Sequence, residues 1–70
     1  LMHELKSGVL KAADYDAVKQ LLTLVFHSGT SYTYADVPPE IFRDLTQVDS
    51  VGQFFQNSIR SHFKGVKVEE

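Results

Sequence analysis

Leu21-Leu22-Thr23-Leu24-Val25-Phe26 is a short apolar run with β-branched members, and Thr30-Ser31-Tyr32-Thr33-Tyr34 alternates small polar with aromatic positions. His27-Ser28-Gly29 lies between them, so the pattern predicts a β-hairpin. Two loop lengths are open. A two-residue Ser28-Gly29 loop sets Val25 opposite Tyr32 and puts both tyrosines on one face with Thr23 and Val25. A three-residue His27-Ser28-Gly29 loop is a type I turn with Gly29 left-handed as a bulge. It pairs Phe26 with Thr30 and Leu24 with Tyr32. Leu22, Leu24, Phe26, Tyr32 and Tyr34 then share a face that is more apolar and more continuous, and the three-residue loop is preferred on that ground.

Residues 1–7 are short and polar and read as a frayed start. Residues 9–15 read as a first strand, with Leu10 and Ala12 on one face and Val9, Lys11 and Ala13 on the other. Residues 14–19 supply its connection to the hairpin, because Asp favours turns by bonding its own backbone. Three strands joined by short loops make an antiparallel meander. Pro38-Pro39 closes the sheet region, since neither residue donates to a ladder. Pro also suits a first helical turn, where Glu40 complements the dipole. Ile41, Phe42, Leu45 and Val48 then repeat at helical spacing over about residues 39–47, and Asp49-Ser50 ends that helix.

Ser50 and Gln53 have the spacing of a capping box. Val51, Phe55, Ile59 and Phe63 follow at a strict four-residue interval and, with Phe54, make one apolar stripe. Gly65 stands where a helix C-cap belongs. Val66 and Val68 alternate with Lys67, so the tail is either a short edge strand or a loose segment. The expected architecture is a two-layer α+β domain, β-β-β-α-α: a three-stranded meander with two helices packed on its apolar face.

Seventy residues make a single domain (residues 1–70, core about 7–63), near the lower end of what folds unaided. The chain has no cysteine and no tryptophan, so its core must come from five Phe, three Tyr and the aliphatics. A disulfide framework and a thiolate metal site are excluded, which suits a reducing compartment. No apolar run approaches the length of a membrane span and no signal-peptide pattern opens the chain, so a cytoplasmic protein is expected. His3, His27 and His62 lack the helical spacing of a zinc motif, and no nucleophile and base stand in a recognisable pattern. Neither a metal, a cofactor nor catalysis is expected.

Seven basic against nine acidic residues give a net charge of −2. That counts against a dedicated nucleic-acid binder unless the charge is segregated. Arg60, His62, Lys64 and Lys67 do form a basic end, and Arg60 and Lys64 share a helical face with Gln53, Gln56 and Asn57. These cations can contact phosphates, or simply offset the dipole of a last helical turn.

Taken in order, Tyr15-Asp16, Leu22-x-Leu24-x-Phe26, Ser28-Gly29, Tyr32-x-Tyr34, Val37-Pro38, Phe42-x-x-Leu45, Ser50-x-Gly52-x-Phe54-Phe55 and Ile59-Arg60 resemble the KTSC domain. That family is named for a C-terminal extension of some lysyl-tRNA synthetases, and it also occurs as small stand-alone bacterial and phage proteins. The likeness runs over residues 7–63, with Tyr32 and Tyr34 as its Tyr-x-Tyr signature. Asp14 departs from a usual Gly, and Gln56 from an expected Asn.

The resemblance implies a non-catalytic accessory or binding module, with weak contact to RNA of the tRNA type suggested by association with synthetases. The candidate contacts are Arg60, Lys64, Lys67, Asn57, Tyr32 and Tyr34. The two tyrosines serve either as a stacking platform for bases or as core residues with hydroxyls at the rim. Gly29, Ser50, Gln53, Phe55 and Ile59 are expected to be structural. The rival reading is a protein-interaction or self-association domain, a homodimer for example, using an edge strand or the uncovered sheet face of Leu21, Thr23, Val25 and Ala35.

Overall fold

Five strands pair antiparallel in chain order: β1 (His3–Glu4), β2 (Leu10–Asp16), β3 (Leu21–Phe26), β4 (Ser31–Tyr34) and β5 (Gly65–Lys67). Helix α1 (Pro39–Leu45) and helix α2 (Val51–Phe54), which continues into a π-helical turn over Phe55–Arg60, lie between β4 and β5 in the chain. Both belong to a computed structural model that describes residues 1–69. Leu45, Val51, Phe55 and Ile59 of the helical layer bury themselves with Leu10, Leu22, Leu24 and Tyr34 of the sheet, so the helices cover one face.

The sheet therefore has two strands more than the expected three-stranded meander. Both additions are edges. His3 and Glu4 pair with Ala13 and Ala12 where a frayed start is expected, a stretch too short for alternation to register. The His3 ring meets Phe42 of α1 edge-on at 5.1 Å, which helps hold this edge against the helix layer. At the other edge Lys67, Val66 and Gly65 pair with Tyr32, Thr33 and Tyr34, so the tail is a strand.

The hairpin takes the three-residue loop. Phe26 N–H donates to the Thr30 carbonyl at 2.9 Å, and Gly29 N–H donates to the Phe26 carbonyl at 2.9 Å. Gly29 has φ +93°, a conformation that other residues adopt only with strain. Leu24 lies opposite Tyr32 and Leu22 opposite Tyr34, so the apolar set faces the helices together.

The weak alternation of β2 has a physical cause. Leu10 pairs with Phe26 and Ala12 with Val25, so Lys11 is an extra residue in a bulge. Leu10 and Ala13 are both buried, and Ala12 turns to the opposite face, not the face of Leu10. The strand also runs on through Asp16, so Asp14 and Tyr15 are strand residues and the turn is 17–20. Asp16 carries the turn chemistry: its Oδ1 accepts from the N–H groups of Val18 and Lys19 at 3.0 and 3.1 Å. Keeping Tyr15 in the strand lets its hydroxyl donate to the Val37 carbonyl at 2.6 Å while its ring stacks on Phe42 at 5.2 Å. Burial, with Glu40 and then Asp16 nearby, raises the pKa of this phenol.

Two helix-end expectations fail. Ser50 makes no side-chain cap bond, so the capping box with Gln53 does not form. Both residues are exposed, and water can satisfy the free amides instead. Gly65 is no C-cap either: the helix ends at Arg60, and Gly65 opens β5 beneath the Tyr34 ring. The apolar stripe itself holds, with Val51, Phe55 and Ile59 buried and Phe54 and Phe63 half-buried. Its strict interval fits the π-helical turn. In an α-helix of about 3.6 residues per turn, a four-residue interval drifts by about 40° at each step. A π turn, with its i→i+5 bonds, rotates less per residue and brings the stripe back over the sheet.

Candidate functional site

The register of β3 and β4 aims Phe26, Tyr32 and Tyr34 at the helices. They meet Phe55 in a run of edge-on rings: Tyr34–Phe55 at 6.3 Å, Phe55–Phe26 at 5.5 Å and Phe26–Tyr32 at 5.7 Å. Tyr34 is buried and Tyr32 half-buried, so the first is core and the second stands at a rim. Between these rings and the end of the π-helical turn lies an open groove of about 600 Å³.

Gln56 and Arg60 line the groove from the helical turn, and Phe63, Lys64 and Gly65 line it from the segment that leads into β5. Gln56 and Arg60 stand four residues apart in the π-helical turn and so share a face. Arg60 Nη1 donates to Gln56 Oε1 at 3.3 Å, and Ser61 Oγ donates to the Gln56 carbonyl at 2.7 Å, capping an acceptor at the helix end. Val9 also lines the groove. Gly65 lies across from Tyr34 in β5, and its missing side chain lets the tyrosine ring lie close against the strand.

The electrostatics are one-sided. Among the described residues, no carboxylate lines this groove, whereas Arg60 and Lys64 do. Lys67 is the cross-strand partner of Tyr32, which places it on the same sheet face at the edge. Burial raises the pKa of the Tyr34 phenol, as does Tyr32, while Arg60 opposes the shift. A net charge of −2 thus coexists with a locally cationic aromatic surface. Elsewhere, Asp44 pairs with Arg43 at 3.3 Å. Among the described residues, no three His, Asp or Glu side chains converge as a metal site would require.

Of the six contacts suggested by the sequence, Tyr32, Tyr34, Arg60 and Lys64 come together, and Lys67 flanks them. Asn57 is exposed and does not line the groove, because the wall follows the four-residue step from Gln56 to Arg60. Phe26 and Phe63 line the groove without being singled out by the sequence, and Gln56 enters the sequence reading only as a neighbour of Arg60 and Lys64 on their helical face. The signal for Gln56 is present, since Gln56, Arg60 and Lys64 run parallel to the stripe of Phe55, Ile59 and Phe63, one residue on. On the uncovered sheet face Leu21, Thr23 and Val25 are half-buried and Ala35 is exposed, with Asp14 opposite Thr23 and Asp16 opposite Leu21. No helix among the described residues is long and apolar enough to cross a membrane.

A five-stranded antiparallel sheet carrying two short helices on one face, with a cation-rimmed aromatic groove where they meet, defines a small α+β domain. The chain belongs to the KTSC domain family, whose model matches residues 6–63.

It is 38% identical over 65 residues to a small protein of Tsukamurella paurometabola, covering 93% of this chain and 97% of that one. It is also 39% identical over 59 residues to a lysine–tRNA ligase of Nostoc punctiforme, covering 84% of this chain but only 10% of the ligase. The crystal structure of a KTSC domain protein from Yersinia pestis superposes with a TM-score of 0.93 over 99% of this chain and 97% of that one. At 23% identity that likeness speaks for the fold alone.

Proposed function

We propose that this KTSC domain is a non-catalytic accessory module that contacts RNA weakly through the groove of Tyr32, Arg60 and Lys64. The observation that carries the reading is the segregation of charge: two cations and a half-buried tyrosine share a concavity that no carboxylate enters among the described residues. Aromatic rings that stack on unpaired bases, with cations placed for phosphates, are the usual means of binding single-stranded RNA. The domain's likeness to a short segment of lysine–tRNA ligases makes tRNA the first RNA to try.

Arg60, Lys64 and Lys67 are the cations of this surface, so about three phosphates at most are neutralised together, and log affinity falls against log salt with a slope near −2. Titrating labelled tRNA and a single-stranded oligonucleotide at several salt concentrations measures that slope. Arg60→Glu combined with Lys64→Glu abolishes the signal. No binding at low salt and high protein concentration ends the RNA reading.

Self-association is the competing reading, and one observation favours it. Val66 of β5 and Val68 just beyond it are 57% and 42% exposed. Light scattering on the same sample decides between the two, since a dimer in the absence of RNA is expected only for the second.

A further inference from the structure

We infer that the groove admits a single nucleotide carrying a phosphate monoester, either free or at the end of an RNA, and does not track a strand. This inference rests on the RNA reading above and narrows it to one ligand unit.

Size is the first ground. At about 600 Å³ the groove falls inside the range of about 300–1,000 Å³ typical of small-molecule sites. Sites that follow a strand need a cationic channel several nucleotides long. Among the described residues that line this groove only Arg60 and Lys64 are cationic, too few to hold a run of phosphates.

Charge is the second. An internal phosphodiester carries one negative charge, whereas a phosphate monoester carries about 1.5 to 2 near neutral pH. Arg60 and Lys64 both line the groove, and two cations in one concavity suit a doubly charged group. Gln56 engages only one N–H of the Arg60 guanidinium, and the remaining donors of that fork are available to phosphate oxygens.

The third ground is the aromatic lining. Tyr32 and Phe63 are each half-buried and line the same concavity, so ring surface is open there for a base. The Gln56 amide, both donor and acceptor, stands beside them for a base edge. A π-helical turn supplies this wall, and such turns cluster at functional sites because the widened backbone is otherwise unfavourable.

The test is an amide-resolved NMR titration of the intact protein with adenosine monophosphate, adenosine and inorganic phosphate. A short oligoribonucleotide with either a phosphate or a hydroxyl at its end completes the set. Adenosine monophosphate is expected to move the amides around Tyr32 and residues 63–65, with adenosine at least tenfold weaker. Arg60→Gln should weaken the monophosphate about tenfold and leave adenosine unchanged, its urea midpoint confirming an intact fold. The phosphate-ended oligonucleotide should bind about tenfold tighter than the hydroxyl-ended one.

Equal affinities for adenosine and its monophosphate, or shifts lying elsewhere, overturn the inference. So does an oligonucleotide that binds the groove without regard to its terminal phosphate, a result that leaves RNA contact standing. Monophosphate binding with no oligonucleotide binding supports the nucleotide site and removes the RNA reading instead.

Discussion

Replacing Gly65 by Ala tests how closely the sheet edge and the tyrosine ring are fitted. A Cβ at this position would lie 2.8 Å from Tyr34 Cε2, 3.0 Å from its Cζ and 3.1 Å from its hydroxyl oxygen. The ring has little room to retreat. Tyr34 is only 4% exposed and stands edge-on to the buried Phe55, so moving it disturbs the core on its other side. Overpacking of this kind costs about 1–3 kcal/mol. Opposing it, Ala restricts the unfolded chain more than Gly does, a gain of about 0.4–1 kcal/mol where the backbone allows Ala. Gly65 has no positive φ, so that gain applies.

The net expectation is a loss of about 0–2.6 kcal/mol, centred near about 1.3 kcal/mol. With a urea slope of about 1 kcal/mol/M for a chain this small, the midpoint should fall by about 1 M and by no more than about 2.6 M. Gly52→Ala is the control: nothing lies within 4 Å of its added Cβ, and it sits inside α2. There the substitution should stabilise by about 0.5–1 kcal/mol through helix propensity. The two variants therefore move the midpoint in opposite directions. A raised midpoint for Gly65→Ala would refute the close fit of Tyr34 against β5.

Gly29→Ala should cost about 1 kcal/mol or more, since φ is +93° there; a wild-type urea midpoint would contradict the left-handed bulge. Ser50→Ala should change stability by less than about 0.5 kcal/mol, because no cap bond is lost. Phe55→Ala and Ile59→Ala should each cost about 2–5 kcal/mol, both being buried in the stripe. Finding Ser50→Ala as damaging as either would mean that a cap does hold this helix. Alkaline stability should also report on the tyrosines. The pKa values of Tyr15 and Tyr34 are raised in the folded state, so the unfolded chain releases its phenolic protons first. Stability should thus be level below the ordinary tyrosine pKa of about 10 and decline above it as pH rises through the folded values. Urea midpoints recorded across that range check this, and Tyr34→Phe should make the decline shallower.

The turn and the two apolar periods were legible in the chain because each is a local signal. His27-Ser28-Gly29 sets the hairpin register, and that register alone places Leu22, Leu24, Tyr32 and Tyr34 on the covered face. Pro38-Pro39 and the four-residue stripe likewise mark where sheet gives way to helix, and the ordered residues carry the family likeness. What the chain alone left undecided depends on partners remote in sequence. Lys11 bulges because Leu10 and Ala13 must both face the core across from β3, and a strand read by strict alternation cannot show that. β1 is two residues long and exists only because Ala12 and Ala13 offer an edge to pair with. Ser50 has the spacing of a cap and forms none, since a sequence spacing does not fix where a side chain hydrogen-bonds. Gly65, at a plausible helix end by local rules, is held in β5 by its neighbour Tyr34, thirty-one positions earlier. The groove belongs to this second group. Its tyrosines come from β4, its cations from the helix end and the segment after it, and only the packing of the helical layer on the sheet brings them within reach of one ligand.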